Sequence, residues 1–97
     1  MPELGADITL SVRIRGRVQG VWYRGWTEEE AARRGLRGWV RNRRDGSVEA
    51  LFAGPAAVVN DMIEACRRGP PAARVESVEQ SPAAEFKGSG FEMCATE

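Results

Sequence analysis

The stretch Gly16-Arg17-Val18-Gln19-Gly20-Val21-Trp22-Tyr23-Arg24 has the residue types needed to grip a phosphate-like anion. Its glycines permit a tight, concave backbone in which successive N–H groups can converge on a negative charge. A helix starting at its far end would add free donors and positive potential. The guanidinium of Arg24 can fork onto two phosphate oxygens at once. The same spacing also suits an ordinary strand-to-helix turn with a solvated arginine, and the loop by itself does not separate the two readings.

A second candidate is Asn42, in Gly38-Trp39-Val40-Arg41-Asn42. A polar residue at a strand end can sit at the mouth of a pocket, or simply help to form the turn at Asp45-Gly46. The missing residue types narrow the chemistry further. There is no histidine, which removes the commonest general base and the commonest metal ligand. The two cysteines, Cys66 and Cys94, lack zinc spacing and are too few for a disulfide scaffold. The expectation is therefore chemistry without histidine and without a bound transition metal, in a reduced, cytoplasmic protein.

The elements that must position these residues can be read from periodicity. Ile8, Leu10, Val12 and Ile14 alternate with Thr9, Ser11, Arg13 and Arg15, which predicts a strand with one buried face. A helix follows and ends near Arg33-Arg34, with Gly35 as its C-terminal stop. Its start is open: Thr27 to Glu30 reads as a capping box, while Tyr23, Thr27 and Ala31 at i, i+4, i+8 suit a start near Tyr23. Leu36–Arg43 reads as a second strand, Asp45-Gly46 as a tight turn and Ser47–Ala53 as a third strand. Gly54-Pro55 should open a second helix with Pro in its first turn, whose apolar stripe is Val59, Met62, Ile63 and Cys66. Gly69-Pro70-Pro71 stops it. Arg74–Glu79 is a weak strand, because Val75 and Val78 differ in parity; Phe91 and Met93 suggest a short last strand, after a loop over Pro82–Gly90.

The order β-α-β-β-α-β predicts an α+β, ferredoxin-like sandwich: an antiparallel sheet with two helices on one face and room for a short fifth strand. In that topology the first two strands run parallel and end at the same sheet edge. Asn42 would then lie near Arg24, on the helix-covered face with Leu36 and Val40. Trp26 and Trp39 read as packing residues, Glu28, Glu29 and Glu30 as a solvated early turn, and Arg41, Arg43 and Arg44 as surface charge.

The bulk numbers set limits. At 97 residues and 42% hydrophobic, the chain fits one small domain spanning 1–97, with 1–7 as a flexible extension, and a monomer is the expectation. No apolar run approaches a membrane span, and no signal peptide is visible. The formal net charge is zero, but residues 1–50 hold 10 basic and 7 acidic residues and residues 51–97 hold 4 and 7. That balance argues against a nucleic-acid binder and leaves the basic half suited to a small anionic substrate.

Taken together, GRVQGVWYR at Gly16–Arg24 and GLRGWVRNRRDGSVE at Gly35–Glu49 resemble the acylphosphatase family, and a weaker likeness extends over residues 8–93. The resemblance implies a role for each matched position. Arg24 falls on the family's catalytic arginine, which binds the substrate phosphate. Asn42 falls on its catalytic asparagine, which positions the attacking water. The backbone of Arg17, Val18, Gln19, Gly20, Val21, Trp22 and Tyr23 falls on its anion cradle. It implies hydrolysis of carboxyl–phosphate anhydrides to a carboxylate and phosphate with no metal or cofactor, with an acyl phosphate as substrate and inorganic phosphate as the anion in the site. Trp22 stands at a variable position of the loop, and the tail Cys94-Ala95-Thr96-Glu97 departs from the family's usual endings. A binding module for a carbamoyl-phosphate-like ligand, with the same loop and no turnover, is the alternative that the resemblance also carries.

Overall fold

A computed structural model describes residues 5–97. The alternation at the N-terminus produces β1 (Asp7–Arg17), with Val12 and Ile14 fully buried and Arg15 and Arg17 exposed. It is followed by α1 (Tyr23–Arg33), β2 (Arg37–Asn42), β3 (Val48–Pro55), α2 (Ala56–Cys66), β4 (Arg74–Pro82) and β5 (Phe91–Met93). The strands form one sheet in the order β4-β1-β3-β2-β5. The first four strands pair antiparallel, while β5 adds to β2 in parallel, so the sheet is mixed rather than purely antiparallel. Of the extension expected at 1–7, residues 1–4 lie outside the described residues. Ala56 N donates to Ala6 O at 3.0 Å, and Asp7 opens β1.

Both helices cover one face, α1 over β2 and β5 and α2 over β1 and β3. Their shared core is Val12, Ile14, Val40, Val48, Ala50 and Phe52 from the sheet, with Tyr23 and Ala31 from α1 and Val59, Met62, Ile63 and Cys66 from α2. The expected α2 stripe is buried in full. Pro55 caps this helix from outside, ending β3, so it stands one residue before the first turn in which it was expected.

The start of α1 is settled by burial. Tyr23, Thr27 and Ala31 all face the core, and Thr27 Oγ1 donates to Tyr23 O at 2.8 Å inside the helix. Thr27 is therefore a buried mid-helix residue, not a cap. At the other end Gly35 adopts φ +71°, and the amides of Gly35 and Leu36 donate to Ala32 O and Ala31 O, which closes the helix as expected. Arg34 bonds both Glu30 and Asp61 of α2, which ties the two helices together.

The parity conflict in β4 has a physical cause. Ile14 pairs with Val78 and Gly16 with Val75, because the register slips by one residue between Arg15 and Gly16. This bulge returns both valines to the helix-covered face. It requires glycine: a Cβ at Gly16, where φ is +127°, would stand 2.2 Å from Arg74 O.

Candidate active site

The register decides which residues meet. Across the sheet, Ile14 pairs with Val48 and Val48 with Asn42, so Asn42 lies level with the last buried residue of β1 before the loop. Beyond Arg17 the chain leaves the sheet, and Val18, 1% exposed, anchors it back into the core. The loop then crosses the start of β3. Gln19 Nε2 donates to both Arg43 O and Ser47 O at 2.8 Å, which fastens the loop to the β2–β3 turn beside Asn42. That turn is itself held by Arg43 N to Ser47 O at 2.8 Å, and by Asp45 accepting from the amide and hydroxyl of Ser47. These two bonds from Ser47 hold the Asp45 carboxyl low, at about 2.

The backbone curls as the glycines foretold. Gly20 has φ +75° and Trp22 φ +67°, and left-handed residues set among right-handed ones are how anion-binding backbone concavities are built. A Cβ at Gly20 would meet nothing within 4 Å, so its φ rather than crowding demands glycine. Trp26 N donates to Trp22 O at 3.0 Å, the first bond of α1. The amides of Tyr23, Arg24 and Gly25 thus have no partner within the helix. Among the described residues, no backbone carbonyl accepts from the amides of residues 19–22 either.

Tyr23 fixes the direction of this helix start. Its ring is 1% exposed, its hydroxyl donates to Cys66 O at 2.6 Å, and Trp26 packs against it at 5.4 Å between centroids. Burial pushes the Tyr23 hydroxyl pKa well above its ordinary value and raises the Cys66 thiol to about 12, so both are neutral packing groups. Arg24, next in sequence, is only half-buried.

One pocket of about 160 Å³ collects Val18, Gln19, Gly20, Trp22, Tyr23, Arg24, Gly25, Asn42 and Met93. Arg24 and Asn42 thus share a cavity with five of the loop residues singled out from sequence. Arg17 and Val21 flank it: Arg17 pairs with Arg74 at the end of β1, and Val21 packs against the core. Among the described residues Arg24 makes no ion pair. The first turn of α1 carries no acidic residue. An arginine at the positive end of a helix is locally unfavourable, by about 0.3–1 kcal/mol, and becomes favourable when an anion arrives.

Three contributions escaped the sequence reading. The Gln19 side chain acts as a strut to the β2–β3 turn, in addition to the amide that the loop motif supplies. Met93 reaches the pocket because β5 runs parallel beside β2, with Met93 opposite Val40. The tail also matters: Cys94 N donates to Val40 O at 2.8 Å and Glu97 N to Asn42 O at 3.1 Å, so it supports the backbone that carries Asn42. No local pattern signals any of these, since each depends on strand order.

The acylphosphatase family model matches residues 10–93. An acylphosphatase of Rhodospirillum rubrum is 61% identical over 83 residues, covering 86% of this chain and 91% of that one. One of Acidovorax sp. is 51% identical over 96 residues, covering 99% of each. Among solved structures, the acylphosphatase of Coxiella burnetii superposes with a TM-score of 0.88 at 30% identity, covering 91% of this chain and 93% of that one.

Proposed function

This chain belongs to the acylphosphatase family and hydrolyses the carboxyl–phosphate bond of acyl phosphates, and we propose that Arg24, Asn42 and the amides of Arg17–Tyr23 carry out that reaction. The observation behind this assignment is the shared pocket: an arginine without an ion pair, free helix-start amides and Asn42 open onto one cavity.

The phosphoryl group sits against the loop amides, with the fork of Arg24 on two of its oxygens. Phosphoryl transfer passes through a loose transition state with charge spread over the equatorial oxygens. Donors already oriented towards those oxygens stabilise it without reorganisation. The Asn42 side chain accepts a hydrogen bond from a water and aims its oxygen at phosphorus. As the new P–O bond forms, the bond to the acyl oxygen breaks and its electron pair leaves with the carboxylate. One water proton passes to a phosphoryl oxygen, giving dihydrogen phosphate. Among the described residues no carboxylate, imidazole or thiol lines the pocket, so the substrate's own phosphoryl group is the proton acceptor.

The leaving group explains why this suffices. A carboxylate, with a conjugate-acid pKa of roughly 4, departs unaided at neutral pH. An alkoxide would need a general acid or a metal. The reaction is thus metal-independent. The reading extends to a cytoplasmic monomer, in which the free thiols of Cys66 and Cys94 stay reduced.

The test is hydrolysis of benzoyl phosphate at neutral pH with a chelator present, beside p-nitrophenyl phosphate. Only the anhydride should be cleaved, and Arg24→Ala should abolish the activity. Loss of wild-type activity with the chelator, or equal cleavage of the ester, would overturn this mechanism.

A further inference from the structure

The rim of the pocket is apolar, and phosphate binding makes no use of it. Among the described residues only two large hydrophobic side chains are exposed, Trp22 at 57% and Met93 at 42%. Both line the cavity that holds Arg24 and Asn42. They come from distant parts of the chain, Trp22 from the loop and Met93 from β5, so the topology and not local sequence brings them to one mouth. Single exposed hydrophobics need no explanation, but two that converge on a reaction site do.

Trp22 is also held there against a conformational cost. It is the one non-glycine residue with positive φ among the described residues, at +67°. Bulky side chains rarely occupy that region. Its indole lies across the first turn of α1: a Cβ at Gly25 would stand 2.1 Å from Trp22 Nε1. Gly25 therefore leaves room for the indole, and strained backbone persists where surrounding structure and function maintain it.

The size of the cavity completes the argument. About 160 Å³ is well below the roughly 300 Å³ at which pockets begin to enclose a whole drug-sized ligand. A phosphoryl group and a water fit the floor, and the acyl group must extend past the rim.

We propose that Trp22 and Met93 form the acyl-group subsite, so that the enzyme selects acyl phosphates with an apolar, above all aromatic, acyl group over those with a small one. This rests on the reading that the phosphoryl group is seated on Arg24 and the loop. An aromatic acyl group would stack on the indole face and contact the flexible thioether of Met93.

The experiment compares kcat/KM for benzoyl phosphate and acetyl phosphate in the wild type, Trp22→Asn and Met93→Ala, with inorganic phosphate as a competitive inhibitor in each. Asn tolerates the left-handed region, so the first variant keeps the loop's shape. The benzoyl-to-acetyl ratio should favour benzoyl phosphate in the wild type and fall about tenfold in Trp22→Asn, with a smaller fall in Met93→Ala. A ratio that stays constant in both variants would overturn the subsite, whether both activities drop together or neither does. Competitive inhibition by phosphate tests the seat on Arg24 separately: its presence beside a constant ratio would reject the acyl subsite alone, and its absence in the wild type would reject the phosphate seat on which the subsite rests.

Discussion

Of the concave regions lined with arginine, two use it in opposite ways. The larger, of about 490 Å³, is bounded by Arg13, Arg43, Arg44, Asp45 and Glu97, beside the helix-free face of the sheet. Here charge is matched across strands. Arg41 and Arg43 reach Glu49 at 2.9 and 3.3 Å, Arg13 and Arg15 reach Asp45 at 3.4 and 3.3 Å, and Arg15 reaches Glu79 at 2.9 Å. Arg41 also lies over the Trp39 ring at 4.6 Å and pairs with Glu97. The smaller region holds Arg24 with helix-start amides, and among the described residues no carboxylate lines it. Neither the size of a cavity nor its number of arginines marks the anion site. Arg44 of the larger region makes no ion pair among the described residues either, but it shares its lining with Asp45 and Glu97. What marks the anion site is an unpaired arginine set beside free helix-start amides and away from the carboxylates that answer the basic residues on the other side of the sheet.

The largest test of that contrast is Arg24→Ala. It should cost on the order of 3 kcal/mol of transition-state stabilisation or more, seen as a fall of 10²-fold or greater in kcat/KM for benzoyl phosphate. Arg24→Lys should recover little, because a point charge does not replace a planar fork. Gln19→Ala should come next. Losing two hydrogen bonds to the β2–β3 turn should lower stability by about 1–2 kcal/mol in urea titration. It should also lower kcat/KM roughly tenfold, because small misplacements of a positioning loop are costly. Arg43→Ala probes the opposite region: kcat/KM should stay within about twofold and stability within about 1 kcal/mol, because the pair is only half-buried and Glu49 keeps Arg41 as a partner. A loss there approaching that of Arg24→Ala would erase the distinction between the two regions.

The smallest expected effect is a pH dependence. The Asp45 carboxyl is held at about 2, below its ordinary value near 3.9, by bonds from Ser47. A lowered folded-state pKa contributes stability that is present above about pH 4 and lost as pH falls through about 2. Asp45→Asn should therefore flatten the acid limb of thermal stability between about pH 4 and 2, with no change in slope near neutrality.

How much of this was legible in the sequence depends on how local each determinant is. Alternation in β1, the four-residue stripe of α2 and the Asp45-Gly46 turn are local, and each stands where its pattern put it. The glycines at 16 and 20 pointed to a special backbone, and both adopt positive φ. The β4 bulge was hidden because one extra residue reverses parity, so two valines on one face looked like a broken strand. The left-handed Trp22 was hidden for the opposite reason: its strain is imposed by surroundings that no local preference reports. The proximity of Arg24 and Asn42 followed from strand order once the fold class was inferred. The reach of Met93 and the strut of Gln19 depend on side-chain placement, which strand order alone does not give.

The central claim is that Arg24 and Asn42 divide the work, one holding phosphate and the other directing water. The most direct measurement is kcat for benzoyl phosphate together with the inhibition constant of inorganic phosphate, in Asn42→Ala and Arg24→Ala. Asn42→Ala should lose on the order of 10²-fold in kcat while phosphate still binds within about twofold of the wild type, whereas Arg24→Ala should lose both. Normal turnover in Asn42→Ala, or phosphate affinity that falls with its rate, would contradict that division.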